Sequence, residues 1–546
     1  MKEKTGRFHK DHIIAGEKFL IPKSSGGDLH IALVYPNTYR LGMSNLGFQA
    51  VYSILNSVPG VTCERAFLDS PLSRAGLLET VESGMRVIDC HIIAFSISYE
   101  PDMINVLKIL KLCGLEYRSA DRENLFPLIM AGGAITFLNP EPIADYIDLF
   151  LLGEAENTLP GLIDAVKNSG GEKSKVLKDL AKLPGIYIPS LYRPIYDDRG
   201  RIIKIDHERE LPDIINRSSP YNGDFAASSA ILSSRAEFRN CFLTEVSRGC
   251  PHGCRFCMLG WGYKPYRPFP LRSLGKNIES ALQRTDRLGL IASDLGAYPE
   301  LVDLVEYLNK KDVRISFSSF RADSINWKTA KLLELSGDRT LTIAPEVGNE
   351  SLRKKIGKKI TYKDRFRAVE IAISCGIKNL RLYFMVGLPW ENDDDVNSGI
   401  ELAKKIREFQ IKKSGSGSSL HVSLSGFVPK ANTPMVFYPP CPENILRERL
   451  KFFKSGLESI GGISVSGESA HNTHIQATIA RGDRRLGKVL EVLSGGTGSY
   501  LSAFSLAGVR KDFYTGNVIG EEEVFPWEHL ESPTPRKILE SVFNNE

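Results

Sequence analysis

The sequence predicts an α/β protein with a doubly wound parallel sheet near its start and a second run of strand–helix units after it. Two observations carry this prediction. Short apolar runs alternate with helical patterns between residues 26 and 168, and the same alternation returns from Phe242 to about residue 430. A stretch without this regular alternation separates the two regions. We therefore expect two main domains, followed by a small C-terminal segment.

Apolar runs of strand length mark the first domain. Leu29–Tyr35 begins it, and it is followed by four further strand candidates: Cys63–Phe67, His91–Ser98, Leu128–Ala131 and Leu149–Leu152. Between them, Asp102–Cys113 places apolar residues on one helical face and ends before Gly114, a residue type that commonly follows a helix. Strands and helices that alternate with short connections predict a parallel sheet over residues 26–168.

The middle of the chain, residues 169–235, is predicted to be a linker. Within it, Asp-Arg-Gly lies between two apolar runs in residues 185–205, a pattern typical of a β-hairpin. Residues 236–460 form the second domain, with six strand candidates: Leu243–Val246, Gly289–Ser293, Arg314–Phe317, Arg339–Ala344, Asn379–Met385 and Leu420–Phe427. Residues 1–25 are expected to be a polar tail, and residues 461–546 a C-terminal domain.

Composition is typical of a folded protein that has no membrane anchor. Hydrophobic residues make up 42% and charged residues 25% of the 546 residues. No apolar run reaches the roughly 20 residues that span a bilayer, and no signal-peptide core follows the polar N-terminus, so we expect a cytoplasmic location. The net charge of +5 does not indicate a nucleic-acid partner. Nine cysteines are too few for a disulfide scaffold, so a local cysteine cluster indicates metal or redox chemistry.

Such a cluster lies directly after the first strand candidate of the second domain. Cys250, Cys254 and Cys257 stand at offsets of four and three residues, in the segment RGCPHGCRFC. With 9 cysteines in 546 residues, this spacing would occur about 0.002 times by chance in the chain. Thiolates are the ligands of iron–sulfur clusters, and three of them on one loop hold three irons of a [4Fe–4S] cluster and leave the fourth open. Gly249 and Gly253 let the backbone fold around a bulky cluster.

Other uses of these cysteines are less consistent with the sequence. Zinc sites favour four ligands in paired units, and no second cysteine pair is present, while His252 is poorly placed as a fourth ligand. A redox CxxC at Cys254 and Cys257 would leave Cys250 without a role. The six remaining cysteines share no ligand spacing and are better explained as structural residues than as an auxiliary cluster: Cys63, Cys90, Cys113, Cys241, Cys375 and Cys441.

This loop and the segments that follow the later strands resemble the radical S-adenosylmethionine (SAM) superfamily. The matching segments are SFSSFRADS (316–324), APEVGNESLRKKIGKKIT (344–361), FMVGLPWEND (384–393) and FVPKANTPM (427–435). The resemblance implies a partial (β/α)6 TIM barrel in which SAM chelates the open iron. An electron from the cluster then cleaves SAM to a 5′-deoxyadenosyl radical that abstracts a substrate hydrogen.

The resemblance also implies residues that contact SAM. Phe256 stands where the family has an aromatic residue near the adenine, and Gly387 lies in the strand-five motif that flanks the adenine. The ribose and carboxylate contacts would fall on Ser318, Arg321 and Glu346. The family's Gly-Gly-Glu motif after strand two is absent in its usual form, because SDLGAYPEL (293–301) stands there. The role of Ser293 or Asp294 is therefore open.

The first domain resembles the cobalamin-binding domain that precedes many radical SAM barrels, with a Rossmann- or flavodoxin-like sheet. Cobalamin is therefore a further candidate cofactor, with Ser96, Gly132 and Gly133 placed to cradle its nucleotide tail. Domains that ligate cobalt through histidine carry Asp-x-His-x-x-Gly, whereas this chain has Asn37, Tyr39 and Gly42 at those positions. The lower axial ligand is therefore missing. The alternative is a domain that kept its fold and lost this ligand.

These features predict a radical SAM enzyme whose catalytic residues and substrate the sequence does not identify. Methyl transfer is expected if cobalamin binds, and an electron donor such as flavodoxin or ferredoxin is implied. A methylthiotransferase-like enzyme acting on RNA or protein is one alternative, but its second three-cysteine cluster is not visible. A non-catalytic iron–sulfur regulatory protein is the other. The basic run at 481–488 is expected to be a solvated helix face.

Overall fold

The computed structural model describes residues 14–22, 26–220, 225–318, 320–336, 339–415, 417–496, 499–520 and 522–545. They form two compact units, each of them discontinuous in sequence. The first unit comprises residues 1–241, 481–511 and 520–532, and the second comprises 242–480, 512–519 and 533–546. The C-terminal chain therefore contributes alternately to both units. The domain limits expected from the sequence stay a prediction.

A six-stranded sheet is the centre of the first unit. Its strands are β2 (Leu29–Tyr35), β3 (Val61–Phe67), β4 (Ile92–Ser96), β5 (Leu128–Gly132), β6 (Leu149–Leu151) and β7 (Ile186–Tyr187). They run in the order β3-β2-β4-β5-β6-β7 and pair in parallel, except for the antiparallel β7. Strands buried on both faces read as continuous apolar runs, which is why the sequence predicted the five parallel strands. It did not predict β7, which lies in the segment that we expected to be a linker.

Helices flank this sheet, and one of them ends where the sequence predicts. They are α1 (Tyr39–Gly42), α2 (Leu46–Ser57), α3 (Asp102–Leu112), α4 (Ala155–Lys167), α5 (Lys173–Leu180), α14 (Leu486–Ser494) and α15 (Tyr500–Ala507). The α3 helix ends before Gly114, whose φ of +71° is a conformation that favours glycine. The hairpin expected within 185–205 is confirmed as the antiparallel pair β8 (Tyr192–Tyr196) and β9 (Ile202–His207).

Part of the segment that we expected to be a polar tail is ordered structure. Strand β1 (Glu17–Phe19) pairs antiparallel with β10 (Ile231–Ser233), and the side chain of Glu17 is buried. Glu17 forms a two-oxygen ion pair with Arg65, at 2.7 and 2.8 Å. Long-range pairing of a three-residue strand has no local sequence signal, so the tail prediction is wrong for these residues.

The second unit contains parallel strands and helices in alternation. Its strands are β11 (Phe242–Glu245), β14 (Arg287–Ile291), β15 (Arg314–Phe317), β16 (Thr340–Glu346), β17 (Asn379–Val386), β18 (Leu420–Gly426) and β19 (Ile463–Gly467). They form two parallel sheets, β11-β14-β15 and β16-β17-β18-β19. The six predicted strands are confirmed and give the partial (β/α)6 barrel. Strand β19 was not predicted, because Ile463–Gly467 alternates apolar and small polar residues.

The barrel helices follow their strands. They are α6 (Leu271–Leu282), α7 (Leu301–Asn309), α8 (Trp327–Ser336), α9 (Glu350–Lys355), α10 (Tyr362–Ser374), α11 (Asp393–Ser414) and α12 (Glu443–Glu458), with α13 (Ala470–Arg481), α16 (Lys511–Thr515) and α17 (Arg536–Asn544) after them. A short antiparallel pair, β12 (Ser247–Arg248) and β13 (Arg267–Pro268), leads into the cysteine loop. Among the residues that the structure describes, no helix is long and apolar enough to cross a membrane.

The basic run at 481–488 is not the solvated face that we expected. Arg484 is largely buried in the first unit, where its Nε donates to Glu141 at 2.8 Å and its Nη2 donates to the Tyr187 hydroxyl at 2.5 Å. His529 packs against the Tyr187 ring at a centroid distance of 5.0 Å. The prediction was wrong because a charge run shows no sign, in sequence alone, of a buried partner far along the chain.

Candidate active site at the cysteine loop

The three predicted cluster cysteines lie on one loop at the carboxyl end of β11. Gly249 has a φ of +79°, and a side chain there would collide with the Tyr263 carbonyl. The Cys257 amide donates to the Cys254 carbonyl at 3.1 Å, which closes the turn, and Trp261 Nε1 donates to the same carbonyl at 2.9 Å. A tight loop with three half-buried thiols is the arrangement that a three-ligand iron–sulfur site needs.

Burial disfavours the thiolate form of Cys254 and Cys257 in the metal-free loop, and nearby cations act against that effect at Cys254. Burial raises the pKa of Cys254, while Lys358 and Arg321 act in the opposite direction. Arg321 Nη1 lies 3.9 Å from the Cys254 sulfur. Burial raises the pKa of Cys257 to about 11, and the neighbouring cysteine thiols contribute to that shift. The donor set therefore fits a cationic iron cluster, whose own charge stabilises the thiolates.

The segment that replaces the family's Gly-Gly-Glu motif anchors the cysteine loop. Ser293 Oγ donates to the Gly249 carbonyl at 2.7 Å. Asp294 is buried and its Oδ2 lies 2.8 Å from His252 Nε2, between the first two cysteines. Burial raises the Asp294 pKa, but the hydrogen bond and charge of His252 and the contact with Arg321 outweigh it and leave the pKa lowered. The carboxylate of Asp294 thus already has its partners within the protein.

Two of the residues implied to contact SAM are held by other groups of the protein, one by a side chain and one by backbone. Arg321 forms a two-nitrogen pair with Asp323, at 3.0 and 2.9 Å. Ser318 exchanges hydrogen bonds with the backbone of Ala292, at 3.2 and 3.1 Å, so it ties β15 to β14. Arg321 still faces the Cys254 sulfur, whereas the structure gives Ser318 a contact to the backbone of the neighbouring strand.

Glu346 lies at the end of β16 in a strained conformation. Its φ is +64°, which is uncommon for a residue other than glycine, and the β16–β17 register shifts at this point. Its Oε1 accepts from Lys358 Nζ at 2.6 Å. Backbone outliers of this kind often mark ligand sites, because they cost free energy that the surrounding structure must offset. Lys358 was not singled out in the sequence, where it stands in an ordinary basic run.

The loop before Lys358 packs directly on the cysteine loop. The Arg255 amide donates to the Ile356 carbonyl at 2.9 Å, and a side chain at Gly357 would come within 2.8 Å of the Gly253 carbonyl. This close backbone approach explains the glycine at 357 and brings the Glu346–Lys358 ion pair beside Cys254.

Phe256 and the strand-five motif share an apolar wall. Phe256 packs against a cluster made of Val347, Leu352, Ile356, Met385, Leu388, Phe427 and Met435. Gly387 has a φ of +88°, and its amide donates to the buried carboxylate of Glu391 at 2.7 Å. Burial raises the Glu391 pKa to about 7. An aromatic ring against an apolar wall is a surface on which an adenine can stack.

Comparison with known proteins places this site in a family. A profile described as "Radical SAM superfamily" matches residues 244–403, which include the cysteine loop. A second, "Radical SAM proteins, N-terminal", matches residues 47–189. The chain belongs to the radical SAM superfamily. This radical SAM protein is accordingly an enzyme whose cofactors are a [4Fe–4S] cluster and SAM.

Relatives of this radical SAM protein extend over most of the chain. An uncharacterised protein of Methanocaldococcus jannaschii, MJ0966, is 28% identical over 504 residues, which cover 92% of this chain and 98% of that protein. An uncharacterised methyltransferase of Pyrococcus horikoshii, PH0819, is 24% identical over a match that covers 56% of this chain and 65% of that protein. The solved structure of OxsB with aqua-cobalamin has a TM-score of 0.50 at 16% identity, over 89% of this chain and 72% of OxsB, which is a likeness of fold.

The predicted cobalamin residues of this radical SAM protein are used for packing. Tyr39 is 3% exposed, and its hydroxyl donates to Glu17 Oε1 at 2.5 Å and hydrogen-bonds Ser233 Oγ at 2.8 Å. Burial, and then the charge of Glu17, raise the Tyr39 pKa. A phenol that is buried, protonated and bonded in this way does not fit a cobalt ligand. Gly42 packs on Phe67, where any side chain would collide with the ring.

The proposed nucleotide-tail residues lie at the carboxyl ends of β4 and β5. Gly133 has a φ of +96°, and a side chain there would come within 2.8 Å of the Ile97 carbonyl. Ser96 is buried and paired with Gly132 in the sheet. These glycines therefore have a packing explanation that needs no ligand.

Proposed function

We propose that this radical SAM enzyme cleaves SAM reductively at a cluster held by Cys250, Cys254 and Cys257 and abstracts a hydrogen atom from an organic substrate. When bound, the cluster supplies the electron that breaks the sulfonium bond of SAM. The observation that carries the proposal is the three-cysteine loop at the carboxyl end of β11, bordered by Arg321 and the Glu346–Lys358 pair. Ligands of such barrels bind at this edge of the strands.

The protein's own residues position SAM and exclude water. Phe256 and the Gly387 loop would support the adenine on their apolar wall, while Glu346 and Arg321 supply polar contacts near the cysteines. Ser318 is retained as a candidate ribose contact, because the residue is exposed at the same edge. A one-electron donor such as flavodoxin or ferredoxin would reduce the cluster.

The experiment is anaerobic reconstitution with iron, sulfide, SAM and dithionite. Formation of 5′-deoxyadenosine and methionine in equal amounts supports the enzyme, and Cys254→Ala, which lacks one cluster ligand, should form neither. A fully loaded protein that forms no 5′-deoxyadenosine would favour the non-catalytic regulatory alternative. A methylthiotransferase-like reaction would instead require a second cluster, and hence about eight irons per chain.

Methyl transfer is the second candidate, favoured by the similarity to the Pyrococcus horikoshii relative, which is named as a methyltransferase. The buried Tyr39 hydroxyl opposes a cobalamin route that uses a protein ligand from this position. Transfer of label from methyl-labelled SAM into a product would support the second candidate. Label that is recovered only in methionine supports hydrogen abstraction.

A further inference from the structure

One face of the sheet β16-β17-β18-β19 is polar and open. The central strand β17 shows this most clearly, because Leu380, Leu382 and Phe384 are buried whereas Arg381 and Tyr383 are exposed. Successive residues of a strand point to opposite faces of its sheet. The alternation of burial along β17 therefore separates a covered apolar face from an open face.

Helices cover the apolar face of this sheet. The Phe384 ring contacts Phe453 of α12 at a centroid distance of 5.2 Å, and a side chain at Gly399 of α11 would meet both rings. Helices form the outer layer of a TIM-type barrel. The opposite face, which carries Arg381 and Tyr383, therefore lines the interior of the barrel.

Two rows of polar side chains cross this inner face. Strand pairing places Arg381 between Thr342 on β16 and His421 on β18, and it places His421 beside Ser464 on β19. Packed apolar side chains normally fill the interior of such a barrel. The rows found here leave a polar and accessible surface instead. The second row lies two residues further along the strands and consists of Tyr383, Ser423 and Ser466.

Arg381 brings a positive charge to this surface. In the described parts of the chain, its guanidinium has no hydrogen bond or ion pair. Arg314, which is also exposed, differs in that it pairs with Asp286. On an outer surface an arginine such as Arg381 would be ordinary, but here it stands on the inner face of the barrel. Guanidinium groups bind carboxylate and phosphate oxygens through paired N–H groups, so this position is suited to an anionic ligand.

The side chains beside Arg381 are uncharged hydrogen-bonding groups. His421 Nδ1 lies 2.9 Å from Ser464 Oγ, and His421 Nε2 lies 2.9 Å from Ser466 Oγ. Burial, and then the charge of Arg381, lower the pKa of His421, so its ring is neutral at pH 7. The influence of Arg381 on this pKa shows that its charge acts across the strand. Neither row supplies a carboxylate that would compete for the guanidinium.

The polar rows continue into the candidate active site. Met385 follows Tyr383 by two residues and so lies on the same face of β17. Met385 belongs to the apolar cluster on which Phe256 of the cysteine loop packs. A strand rises about 3.3 Å per residue, which puts the Arg381 Cα roughly 13 Å from the Met385 Cα. A ligand that extends from Arg381 to the cysteine loop therefore passes over both polar rows.

We propose that the substrate is a polar organic anion whose carboxylate or phosphate group binds Arg381 inside the barrel. The remainder of the molecule lies along the rows of Tyr383 and His421 and reaches toward the cysteine loop. This inference rests on the proposed function, because that function requires a substrate beside SAM. Carboxylate and phosphate share the paired oxygens that a guanidinium recognises.

The first test is the reactivity of Arg381 toward phenylglyoxal in the cluster-loaded enzyme with SAM bound. Modification is followed by peptide mass spectrometry in the presence of acetate, inorganic phosphate or neutral acetamide, at constant ionic strength. At about ten times its dissociation constant, an anion bound to Arg381 should slow the modification about tenfold. Stronger protection by acetate indicates a carboxylate, and stronger protection by phosphate indicates a phosphate ester.

Arg314 is the matched control within the same samples, because it is exposed and already has a protein partner. Its modification should not respond to the anions, and acetamide should protect neither arginine. Absence of protection at Arg381 by both anions would overturn the proposal. Equal slowing at Arg314 would do the same, since it would reveal a general effect of the added salt.

SAM itself carries a carboxylate, so the modification is also measured before SAM is added. SAM alone should leave the reactivity of Arg381 unchanged, because Arg381 lies on the far side of the polar rows from the cysteine loop. Protection by SAM as strong as that by the anions would show that SAM occupies Arg381. That result would contradict the assignment of this surface to the substrate.

A variant provides an independent measurement. The more protective anion should raise the thermal unfolding midpoint of the wild-type enzyme and of Arg314→Gln, but not that of Arg381→Gln. Iron content and SAM affinity should be normal in Arg381→Gln, since the side chain is exposed. A midpoint shift that survives in Arg381→Gln would refute the proposal. Formation of 5′-deoxyadenosine by the wild-type enzyme is measured in parallel: its absence rejects the proposed function, whereas normal formation without anion protection rejects only this inference.

Discussion

Asp294 Oδ2 and His252 Nε2 lie 2.8 Å apart and join the loop after β14 to the cysteine loop. His252 stands between Cys250 and Cys254, so this contact restrains the part of the loop that carries two of the proposed cluster ligands. Asp294 is buried and also accepts from the Gly296 amide at 3.1 Å, which fixes its side chain. The loop geometry thus depends on a residue outside the cysteine motif.

We expect Asp294→Asn to keep the cluster but release it faster. The substitution removes a charge-assisted hydrogen bond of about 1.5–3 kcal/mol while preserving shape. Iron loss to an added chelator should then be at least about tenfold faster than in the wild-type protein. Asp286→Asn, which removes an exposed ion pair with Arg314, is the matched control and should leave the rate unchanged. Equal rates for all three proteins would contradict a restraining role for Asp294.

The cluster ligands give the second prediction. Cys250→Ala, Cys254→Ala and Cys257→Ala should each abolish the cluster, since a three-ligand site has no spare thiolate. Anaerobically purified wild-type protein should contain about four irons and four sulfides per chain. Cys375→Ala and Cys441→Ala, which change half-buried cysteines outside the loop, should not alter iron content. A full cluster in any one of the three loop variants would refute the assignment.

The Glu346–Lys358 pair gives the third prediction. Glu346→Gln should weaken SAM binding roughly 5- to 150-fold, because a polar contact in a buried site is worth about 1–3 kcal/mol. Arg321→Ala should have a similar effect, and iron content should remain normal in both. Glu401→Gln, which removes a partly exposed pair with Lys404, serves as control. SAM affinity that is unchanged in both site variants would show that the strand-end loops were assigned incorrectly.

The fourth prediction concerns Tyr39. Its buried hydroxyl contacts Glu17 and Ser233, so Tyr39→Phe should lower the free energy of unfolding by about 1–3 kcal/mol. Tyr383→Phe, at an exposed tyrosine, should change it little. Any cobalamin taken up by the wild-type protein should lack a lower nitrogen ligand. Electron paramagnetic resonance of the cob(II)alamin form would contradict this if it showed nitrogen superhyperfine splitting.

The fifth prediction is a pH dependence of stability from His529. This ring is 3% exposed, and neither ring nitrogen has a hydrogen-bond partner among the described residues. Burial lowers its pKa from 6.5 to about 4, with Glu141 opposing the shift and Arg484 and His207 adding to it. Below pH 6.5 the His529 imidazole is therefore protonated in the unfolded chain, whereas in the folded protein it stays neutral until about pH 4.

Stability from His529 is consequently present above pH 6.5 and lost as the pH falls toward 4. Between pH 8 and pH 5 the loss should amount to about 2 kcal/mol. His529→Phe keeps an aromatic ring beside Tyr187 and removes the titration, so its urea midpoint should fall less over this range. A parallel pH dependence in the wild type and in this variant would exclude His529 as the source.

The sequence predicted those parts of the fold that are encoded locally. Continuous apolar runs identified the main parallel strands of both units, and the cysteine spacing predicted a cluster site, because each pattern lies within a few residues. The buried roles of Glu17 and Arg484 were missed, since their partners lie far along the chain. Arg381 was missed for a related reason: arginine is mostly a surface residue, and only the three-dimensional structure places it on the inner face of the barrel.

The same limit applies to the site residues. Glu346 and Arg321 stand where the family resemblance indicated, but Lys358 and Asp323, which hold them, lie in unremarkable charged stretches. Asp294 faces the cysteine loop instead of an open ligand site, and the missing Gly-Gly-Glu motif was the sequence signal that this position had changed. Positions at strand ends could be read from the sequence, but side-chain partners could not.

Because residues 481–511 and 520–532 complete the first unit, that unit depends on segments that are synthesised after most of the second unit. During translation, the sheet that begins at Leu29 would leave the ribosome long before Arg484 emerges to meet Glu141. A nascent chain would therefore carry an unpaired buried carboxylate for most of its synthesis. A premature stop after residue 480 would remove part of the first unit and so destabilise the N-terminal half of the chain. Because each unit combines separate parts of the chain, a single protease cut would not separate the two units.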